Sequence, residues 1–366
     1  MTMKKIAAIT LAMALSVLFG MTVAASPAHG DISSIGGTGG HGAWDNGLSQ
    51  FNLPMAIHAM GNGQIIVADT FNNLIRNIDE DGETSVLAGV LHEVGGDNFP
   101  VGAYRDGEAA QAGFSRPTGL ASNSEGWIFV ADSQNHSIRA IIDGHVHTFA
   151  GNGVPGHTDG NGINASFNSP GAVAMGPDGN LYVADTGNHA VRMISPTGEA
   201  TTIAGRPGQF GHRDGRNANS LFDSPMGIAV AEDGRVFVAD TGNHLIRVIE
   251  NGQVATFAGA FLQDGGNSSG GFEDGHGAMF SQPVGLAFWG EYLLVADSVN
   301  HALRVLSPDG HAATLAGTGW PGYASAPGAA SEFHFPMGVS VHGDILYVAD
   351  TNNNLVRVME LMLAGE

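Results

Sequence analysis

The sequence predicts an all-β propeller with one blade per repeat, and two observations carry this prediction. The string Val-Ala-Asp occurs six times. Each time, its Asp is the first residue of the phrase Asp-x-x-Asn-(His/Asn)-x-(Ile/Val/Leu)-Arg. Successive phrases begin 53 to 63 residues apart, and a period of this length, filled with short apolar runs and Gly-containing turns, is typical of propeller blades. The strings occupy residues 67–69, 130–132, 183–185, 238–240, 295–297 and 348–350.

The fourth repeat shows the predicted blade most clearly, as four short strands joined by tight turns. Its apolar runs are 227–230, 235–239, 245–249 and 254–258. The dipeptides Asp-Gly and Asn-Gly separate these runs, and both favour the positive φ angles of a tight hairpin. No segment after the N-terminal region carries a sustained helical period. Each blade is therefore predicted to be a four-stranded antiparallel sheet, and six repeats predict six blades.

The sixth repeat lacks the Ala-Gly ending that closes the fourth strand of the other repeats. Its third strand runs without a turn into residues 361–365. A segment of the missing type, residues 32–37, stands ahead of the first repeat, so we predict that this N-terminal strand completes the sixth blade and closes the ring. Closure removes open sheet edges. The alternative is that residues 361–365 occupy that place.

Residues 1–28 are predicted to be a secretory signal peptide, followed by a single propeller domain at residues 31–366. Lys4 and Lys5 precede an apolar run, and small residues follow it, which is the pattern of a cleavable signal. The alternative is an uncleaved membrane anchor, because the apolar stretch approaches the roughly 20 residues that a span needs. We expect an exported protein, extracellular, at the cell surface or in the periplasm, with no membrane span after cleavage.

The charge balance argues against a nucleic-acid partner. The formal net charge is −21, and both lysines of the chain lie in the first five residues. Phosphate binding requires clustered Lys and Arg, so an acidic surface of this kind disfavours it. The chain has no cysteine, which excludes disulfides and a cysteine-linked lipid anchor. We expect a monomer.

Two of the phrases resemble the NHL repeat, which takes its name from Asn-His-Leu. They begin at Asp185 and Asp240 and read Asp-Thr-Gly-Asn-His-Ala-Val-Arg and Asp-Thr-Gly-Asn-His-Leu-Ile-Arg. The resemblance extends over about residues 31–360 and implies a six-bladed propeller of the exported bacterial type. The family includes RNA-binding tripartite-motif proteins, a peptide-amidating lyase and receptor-like ectodomains, so the resemblance implies no single function.

The Asp and Arg of the phrase are predicted to be structural ties, one pair per blade. Catalysis needs asymmetry, whereas these residues recur six times. We expect the Asn of the phrase to cap its turn or to tolerate the unusual backbone there. His136, His189, His244 and His301 follow that Asn but stand one per blade, so they are not predicted to share a metal. The predicted ties are Asp69, Arg76, Asp132, Arg139, Asp185, Arg192, Asp240, Arg247, Asp297, Arg304, Asp350 and Arg357.

Sequence patterns around the central channel favour a non-enzymatic role. Lactonases and lyases built on six-bladed propellers place metal ligands and acids at the channel mouth. None of the residues after each inner-strand Pro is an Asp, Glu or His, and His58 is the nearest titratable exception. The alternative is a metal-assisted hydrolase or lyase, similar to a lactonase or an amidating lyase, at that mouth. The residues after Pro are Met55, Thr118, Gly171, Met226, Val284 and Met337.

The segments between blades are the predicted binding surface. Each contains an aromatic residue or His at a regular distance before a Phe-x-x-Pro motif. This regular spacing favours a role for that residue in packing within the segment. The second interpretation is that these residues form a ligand-binding rim. Candidate ligand-binding residues are Trp44, Tyr104, Arg105, His157, His212, Arg213, Phe272, Trp320 and Tyr323.

We expect from this surface a binding module for a protein, peptide or glycan, with an envelope scaffold as the further alternative. No cofactor is predicted. Residues 159–162, Asp-Gly-Asn-Gly, resemble part of a calcium loop, but the full ligand spacing does not follow.

Overall fold

The computed structural model describes residues 28–29, 32–37, 50–91, 100–264 and 267–362. Six antiparallel sheets, one per repeat, stand in a ring, because the first strand of each sheet contacts the first strands of its two neighbours. The predicted all-β, six-bladed propeller is therefore confirmed. Residues 1–27 of the expected signal peptide lie outside the described residues. Within the described residues, no helix is long and apolar enough to cross a membrane.

Each blade is an antiparallel meander whose first strand faces the ring axis. The strands of blades 1 to 3 are Ala56–Ala59, Ile65–Asp69, Leu74–Ile78, Thr84–Ala88; Pro117–Ser122, Ile128–Asp132, Ser137–Ile142, His145–Ala150; and Ala172–Met175, Leu181–Asp185, Ala190–Ile194, Glu199–Gly205. Those of blades 4 and 5 are Gly227–Val230, Val236–Asp240, Leu245–Glu250, Gln253–Ala258; and Pro283–Trp289, Tyr292–Asp297, Ala302–Leu306, Ala312–Ala316. Those of blade 6 are Pro336–His342, Ile345–Asp350 and Leu355–Met362.

The segment that leads from the fourth strand of one blade to the first strand of the next is called the connection. Three connections add a short strand to the outer edge of a blade: Gly107–Glu108, Gly160–Asn161 and Gly215–Arg216. The connection into blade 5 forms its own hairpin, Leu262–Asp264 with Asn267–Ser269. Among the described residues, four connections contain a 3-10 turn: Ala109–Gln111, Gly162–Asn164, Asn217–Asn219 and Gly328–Ala330. The phrase itself forms six more: Thr70–Asn72, Ser133–Asn135, Thr186–Asn188, Thr241–Asn243, Ser298–Asn300 and Thr351–Asn353.

The N-terminal segment closes the ring as predicted. Ser33–Gly36 pairs with the third strand of blade 6, with Ser33 opposite Val358. The alternative, in which the C-terminal segment supplies this outer strand, is wrong for the residues described. Leu361 and Met362 instead prolong the third strand and pair with residues 28–29. Residues 363–365 of that alternative lie outside the described residues.

Neighbouring blades approach most closely at their first strands, where several positions tolerate only Gly. A Cβ on Gly227 of blade 4 would lie 1.7 Å from the carbonyl oxygen of Val284 in blade 5. Gly285 meets the backbone of blade 6 in the same way, at 2.4 Å. Neither glycine has a positive φ, so the requirement is one of space and not of backbone conformation.

Candidate functional site: the connection face and the network beneath it

A buried ion pair occupies every blade at the end where the connection arrives. In blade 4 the Arg247 Nη1 atom lies 2.6 Å from Asp240 Oδ2, and neither side chain is exposed to solvent. The same contact is present in all six blades at 2.6–3.1 Å. Burial raises the pKa of Asp240, and the charge of Arg247 and the amide of Asn243 oppose that rise.

The ion pair holds the Phe-x-x-Pro turn that brings the chain into the first strand. Asp240 Oδ1 accepts the backbone N–H of Asp223 at 2.7 Å, and Arg247 Nη1 donates to the carbonyl of Leu221 at 3.2 Å. The guanidinium of Arg247 also lies 5.3 Å from the ring centroid of Phe222, which is fully buried. Each predicted Asp–Arg pair therefore sits between its own blade and the arriving connection.

A second acid from the connection completes this pair in four blades. Asp214 lies 2.5 Å from Arg247 Nη2, and Asp159 and Asp274 contact Arg192 and Arg304 in the same way. Asp106 contacts Arg139. Each of these four Asp residues is followed by Gly, and this recurring dipeptide was the sequence signal for the contact. The pairing itself was not predicted.

The segment considered for calcium is part of this network. Asp159, its first residue, accepts bonds from Arg192 Nη2 at 2.8 Å and from the Thr202 hydroxyl at 2.9 Å. Over the part of the chain that the structure describes, no group of three or more His, Asp and Glu side chains is placed to hold a metal ion.

The His of the phrase links each blade to the next. His189 Nδ1 in blade 3 accepts the backbone N–H of Ser224 at 3.0 Å, just before the first strand of blade 4. His136, His244 and His301 accept equivalent N–H groups at 2.9–3.1 Å. In the remaining two blades the Oδ1 atoms of Asn73 and Asn354 accept the equivalent bonds, each at 2.8 Å.

These contacts require a neutral imidazole, because a protonated Nδ1 cannot accept a hydrogen bond. Burial lowers the pKa of His136, His189, His244 and His301, which favours the neutral form.

The expected role of the Asn in the phrase needs correction. The left-handed residue of the turn is the His or Asn that follows it, with φ between 49° and 59°. The phrase Asn lies in the 3-10 turn and acts through its side chain. Asn243 Nδ2 donates to Asp240 Oδ2 and to the carbonyl of Gly211, both at 2.9 Å. It therefore fastens the connection to the ion pair.

Three of the predicted ligand-binding residues lie one per blade against their own blade. Tyr104 and Phe272 stack 4.9 and 5.0 Å from the guanidinium groups of Arg139 and Arg304. His212 packs against Phe261, with ring centroids 4.0 Å apart. Phe261 belongs to the next connection, and His212 Nε2 also lies 3.2 Å from the Thr256 hydroxyl of its own blade. The structure does not bring these three residues together into one pocket.

Other predicted residues are exposed but separate. His157, Arg105 and Arg213 are exposed on three different connections. The Arg213 guanidinium donates to the carbonyl of Asn219 within its own connection. Trp44 lies outside the described residues.

Trp320 and Tyr323 stand out because the structure leaves most of their surface free. They are 75% and 74% exposed and lie three residues apart in the connection into blade 6. Phe272 of the preceding connection packs against Gly319, so its ring borders the same site. Phe272, Trp320 and Tyr323 are called the aromatic patch below.

Exposed apolar side chains concentrate in the connections. Twelve large apolar side chains of the described residues are exposed, and ten of them belong to connections. Only Val86 and Met362 lie within blade strands. The ten are Leu91, Val101, Tyr104, Val154, Ile163, Phe210, Leu262, Phe272, Trp320 and Tyr323.

The central channel, in contrast, is narrow and apolar. One aliphatic residue from each first strand points to the axis, and these six are 5–8% exposed. The space left between them has a volume of about 70 Å³, and none of the described residues that line it is titratable. The six are Ile57, Leu120, Val173, Ile228, Leu286 and Val339.

The nearest titratable side chain, His58, faces Ser122 instead. Its Nε2 atom lies 2.8 Å from the Ser122 hydroxyl, and burial lowers its pKa to about 4.

Six repeated sheets around a narrow axis define the class of protein as a six-bladed β-propeller. Comparison with known families agrees: the NHL repeat matches residues 114–141, 167–192 and 222–249, and the LVIVD repeat matches residues 336–358. The human NHL repeat-containing protein 2 is 37% identical over 336 residues, which cover 81% of this chain and 45% of that protein. The chain belongs to the NHL-repeat protein family.

Solved structures share the fold at low identity. An auxiliary nutrient binding protein from Bacteroides thetaiotaomicron superposes with a TM-score of 0.63 at 14% identity, covering 92% of this chain and 77% of that one. Virginiamycin B lyase from Staphylococcus aureus gives 0.51 at 15% identity, covering 87% and 96%. The chain spans less than half the length of the curated relatives it matches. A binding protein and a lyase thus share this fold, so the fold alone leaves the function open.

Proposed function

We propose that the protein is an exported binding module that holds a protein, peptide or glycan partner on its connection face, the face of the ring to which the connections between blades belong. One observation carries the proposal: ten of the twelve large apolar side chains exposed among the described residues lie in the connections. Single exposed apolar residues are ordinary on a protein surface, whereas neighbouring ones, such as Trp320 and Tyr323, are typical of an interaction site.

The aromatic patch is the proposed centre of this face. Trp and Tyr supply a large apolar area and a polar group at little cost in side-chain entropy, and both are enriched where proteins meet their partners. The exposed ring faces of Trp320 and Tyr323 suit the apolar face of a sugar ring or a peptide side chain. Phe272 stacks on Arg304 and so forms only the border of the patch. Tyr104 stacks on Arg139 in the same way and its hydroxyl is also bonded to Thr148, so we assign it to packing.

The narrow, largely apolar channel supports a surface site over a channel-mouth site. Among the described residues that line it, none is titratable. A solved propeller of the same fold is described as a nutrient binding protein, which is consistent with a binding role.

The experiment compares binding by the native chain and by a Trp320→Ala/Tyr323→Ala variant against a glycan array and a peptide library. We expect the native chain to bind members of one class and the variant to lose at least tenfold in affinity for them. Val86→Ala is the matched control, since Val86 is an exposed apolar residue outside the connections. Equal binding by all three proteins would refute the proposed surface.

Export is the second part of the proposal and rests on the N-terminal sequence. Expression of the full chain in a bacterium, followed by mass spectrometry of the exported fraction, tests it. We expect a mature chain that begins after residue 25 or 28. Recovery of the uncut chain in the cytoplasm would contradict this part alone.

A further inference from the structure

The hairpins between the first and second strands lie on the face opposite the connections, and those of blades 5 and 6 differ from the rest. In blades 1 to 4 five residues join the two strands, as in 231–235. In blades 5 and 6 only two residues do so, 290–291 and 343–344. The repeat does not require this difference. The repeated network therefore does not explain the two short hairpins.

Both short hairpins have the same construction. Each begins with a Gly at positive φ, 55° at Gly290 and 59° at Gly343, as a type II′ turn requires. The second turn residue is acidic in both, Glu291 and Asp344, and both are exposed. Two carboxylates therefore stand on adjacent turns.

A groove of about 450 Å³ opens between these two hairpins. Its volume falls within the range of small-molecule sites, roughly 300–1,000 Å³. Two aromatic rings form part of its wall, those of Trp289 and Tyr292, whose centroids are 6.0 Å apart. Glu291 and Asp344 line the same groove.

The groove is held in shape by a contact between the two blades. The indole N–H of Trp289 in blade 5 donates to Asp344 Oδ1 in blade 6 at 2.9 Å. The backbone carbonyl of Asp344 accepts the N–H of Leu361 at 2.7 Å. One wall therefore keeps its position without a ligand, which lowers the entropic cost of binding.

The charged side chains that line this groove are both acidic. On the same face, Arg235 of the blade 4 hairpin is paired with Asp233, and the exposed His342 precedes the blade 6 hairpin. Residues 283–362 contain two cationic side chains other than His, Arg304 and Arg357, and both are buried against Asp297 and Asp350 at the other end of their blades. Glu291 makes no ion pair with the described residues. An aromatic wall beside uncompensated carboxylates complements a cation on an organic stem, because the ring face and the carboxylates both attract positive charge.

We propose that the groove between the blade 5 and blade 6 hairpins binds a small organic cation that carries an ammonium group. The ammonium group lies between Glu291 and Asp344, and its alkyl substituents lie against Trp289 and Tyr292. The site is on the opposite face from the aromatic patch and does not depend on it.

The test is an NMR titration of the indole N–H signal of Trp289, assigned with Trp289→Phe, with n-butylammonium and tetramethylammonium as probes. We expect a saturable shift with at least one of these cations and none with 1-butanol or methyl glucoside. The variant Glu291→Gln/Asp344→Asn keeps the oxygen that accepts the indole N–H and removes both charges, so its affinity should fall at least tenfold. Glu232→Gln, in the longer blade 4 hairpin, is the control and should bind as the native chain does.

Three outcomes would overturn the proposal: no saturable shift with either cation, an equal shift with the neutral probes, or unchanged affinity in the double variant. The indole signal of unliganded Glu291→Gln/Asp344→Asn reports whether the groove is still formed. If that signal has moved, Glu291→Gln alone replaces the double variant, and unchanged affinity of that variant then overturns the proposal.

Discussion

The network of the phrase and the segments in which the blades differ contrast in almost every physical property. The network is buried, charged and repeated in all blades, as Asp240 and Arg247 show in blade 4. The aromatic patch and the short hairpins are exposed, and they occur at blades 5 and 6 only. Residues that gather Asp, Asn, His and Arg in one phrase look chemically active in the sequence, yet each of them is committed to a contact that builds the ring. The repetition therefore identifies scaffold, and the departures from it identify candidate sites.

The largest effect that separates the two regions is expected from Arg247→Ala. Its removal leaves Asp240 buried without a counter-ion, which should cost about 3–5 kcal/mol of unfolding free energy. The control is Arg235→Ala, because Arg235 pairs with Asp233 at the surface, where such pairs contribute about 0–1 kcal/mol. Chemical denaturation measures both. Equal losses in the two variants would show that the buried network is no more important than a surface pair.

A smaller effect is expected from Gly227→Ala, which tests the close approach of the first strands. The added Cβ meets the Val284 carbonyl of the next blade, so the blades must move apart at a cost of about 1–3 kcal/mol. At Gly277 a Cβ meets nothing within 4 Å and φ is not positive, so Gly277→Ala serves as the control. A Gly227→Ala variant as stable as the Gly277→Ala variant would contradict the close packing at the axis.

The smallest effect is expected from pH and concerns the four His residues that join blades. Their folded pKa lies below the ordinary 6.5, so the unfolded chain binds more protons as the pH falls. Their contribution to stability is complete above about pH 6.5 and is lost as the pH falls toward the folded pKa. The loss should be about 0.5 kcal/mol per site, the lower end for a neutral hydrogen bond, because these rings are partly exposed.

Two blades already have Asn in place of this His, and they suggest a variant that isolates the effect. Asn73 and Asn354 already accept the equivalent N–H, so replacing His136, His189, His244 and His301 by Asn should preserve stability at neutral pH. At pH 5 the fourfold variant should unfold at a higher denaturant concentration than the native chain. The buried Asp residues are common to both proteins, so their titration cancels in the comparison. Parallel pH profiles of the two proteins would rule out the His contribution.

The sequence was sufficient for the number of blades, the strand order and the closure by residues 32–37. Each of these follows from a local pattern: turn dipeptides, alternating apolar residues and a repeat that lacks one strand. It was also sufficient to suggest that Asp240 and Arg247 meet, since Asp240 ends one strand of a hairpin and Arg247 lies in the next. It was not sufficient for the contact between Arg247 and Asp214, because the connection must first fold back along its blade.

The candidate sites could be identified only with the tertiary structure. Six aromatic or His residues of the connections looked equivalent by spacing. Only the structure distinguished Tyr104, which stacks on its own blade, from Tyr323, which is 74% exposed. The groove at Trp289 had no sequence signal beyond two shortened turns, because its walls come from separate repeats. A repeat determines its own blade through short-range periodicity and turn geometry. Which side chains of different blades meet is decided by the packing of one blade on the next, and only the tertiary structure contains that information.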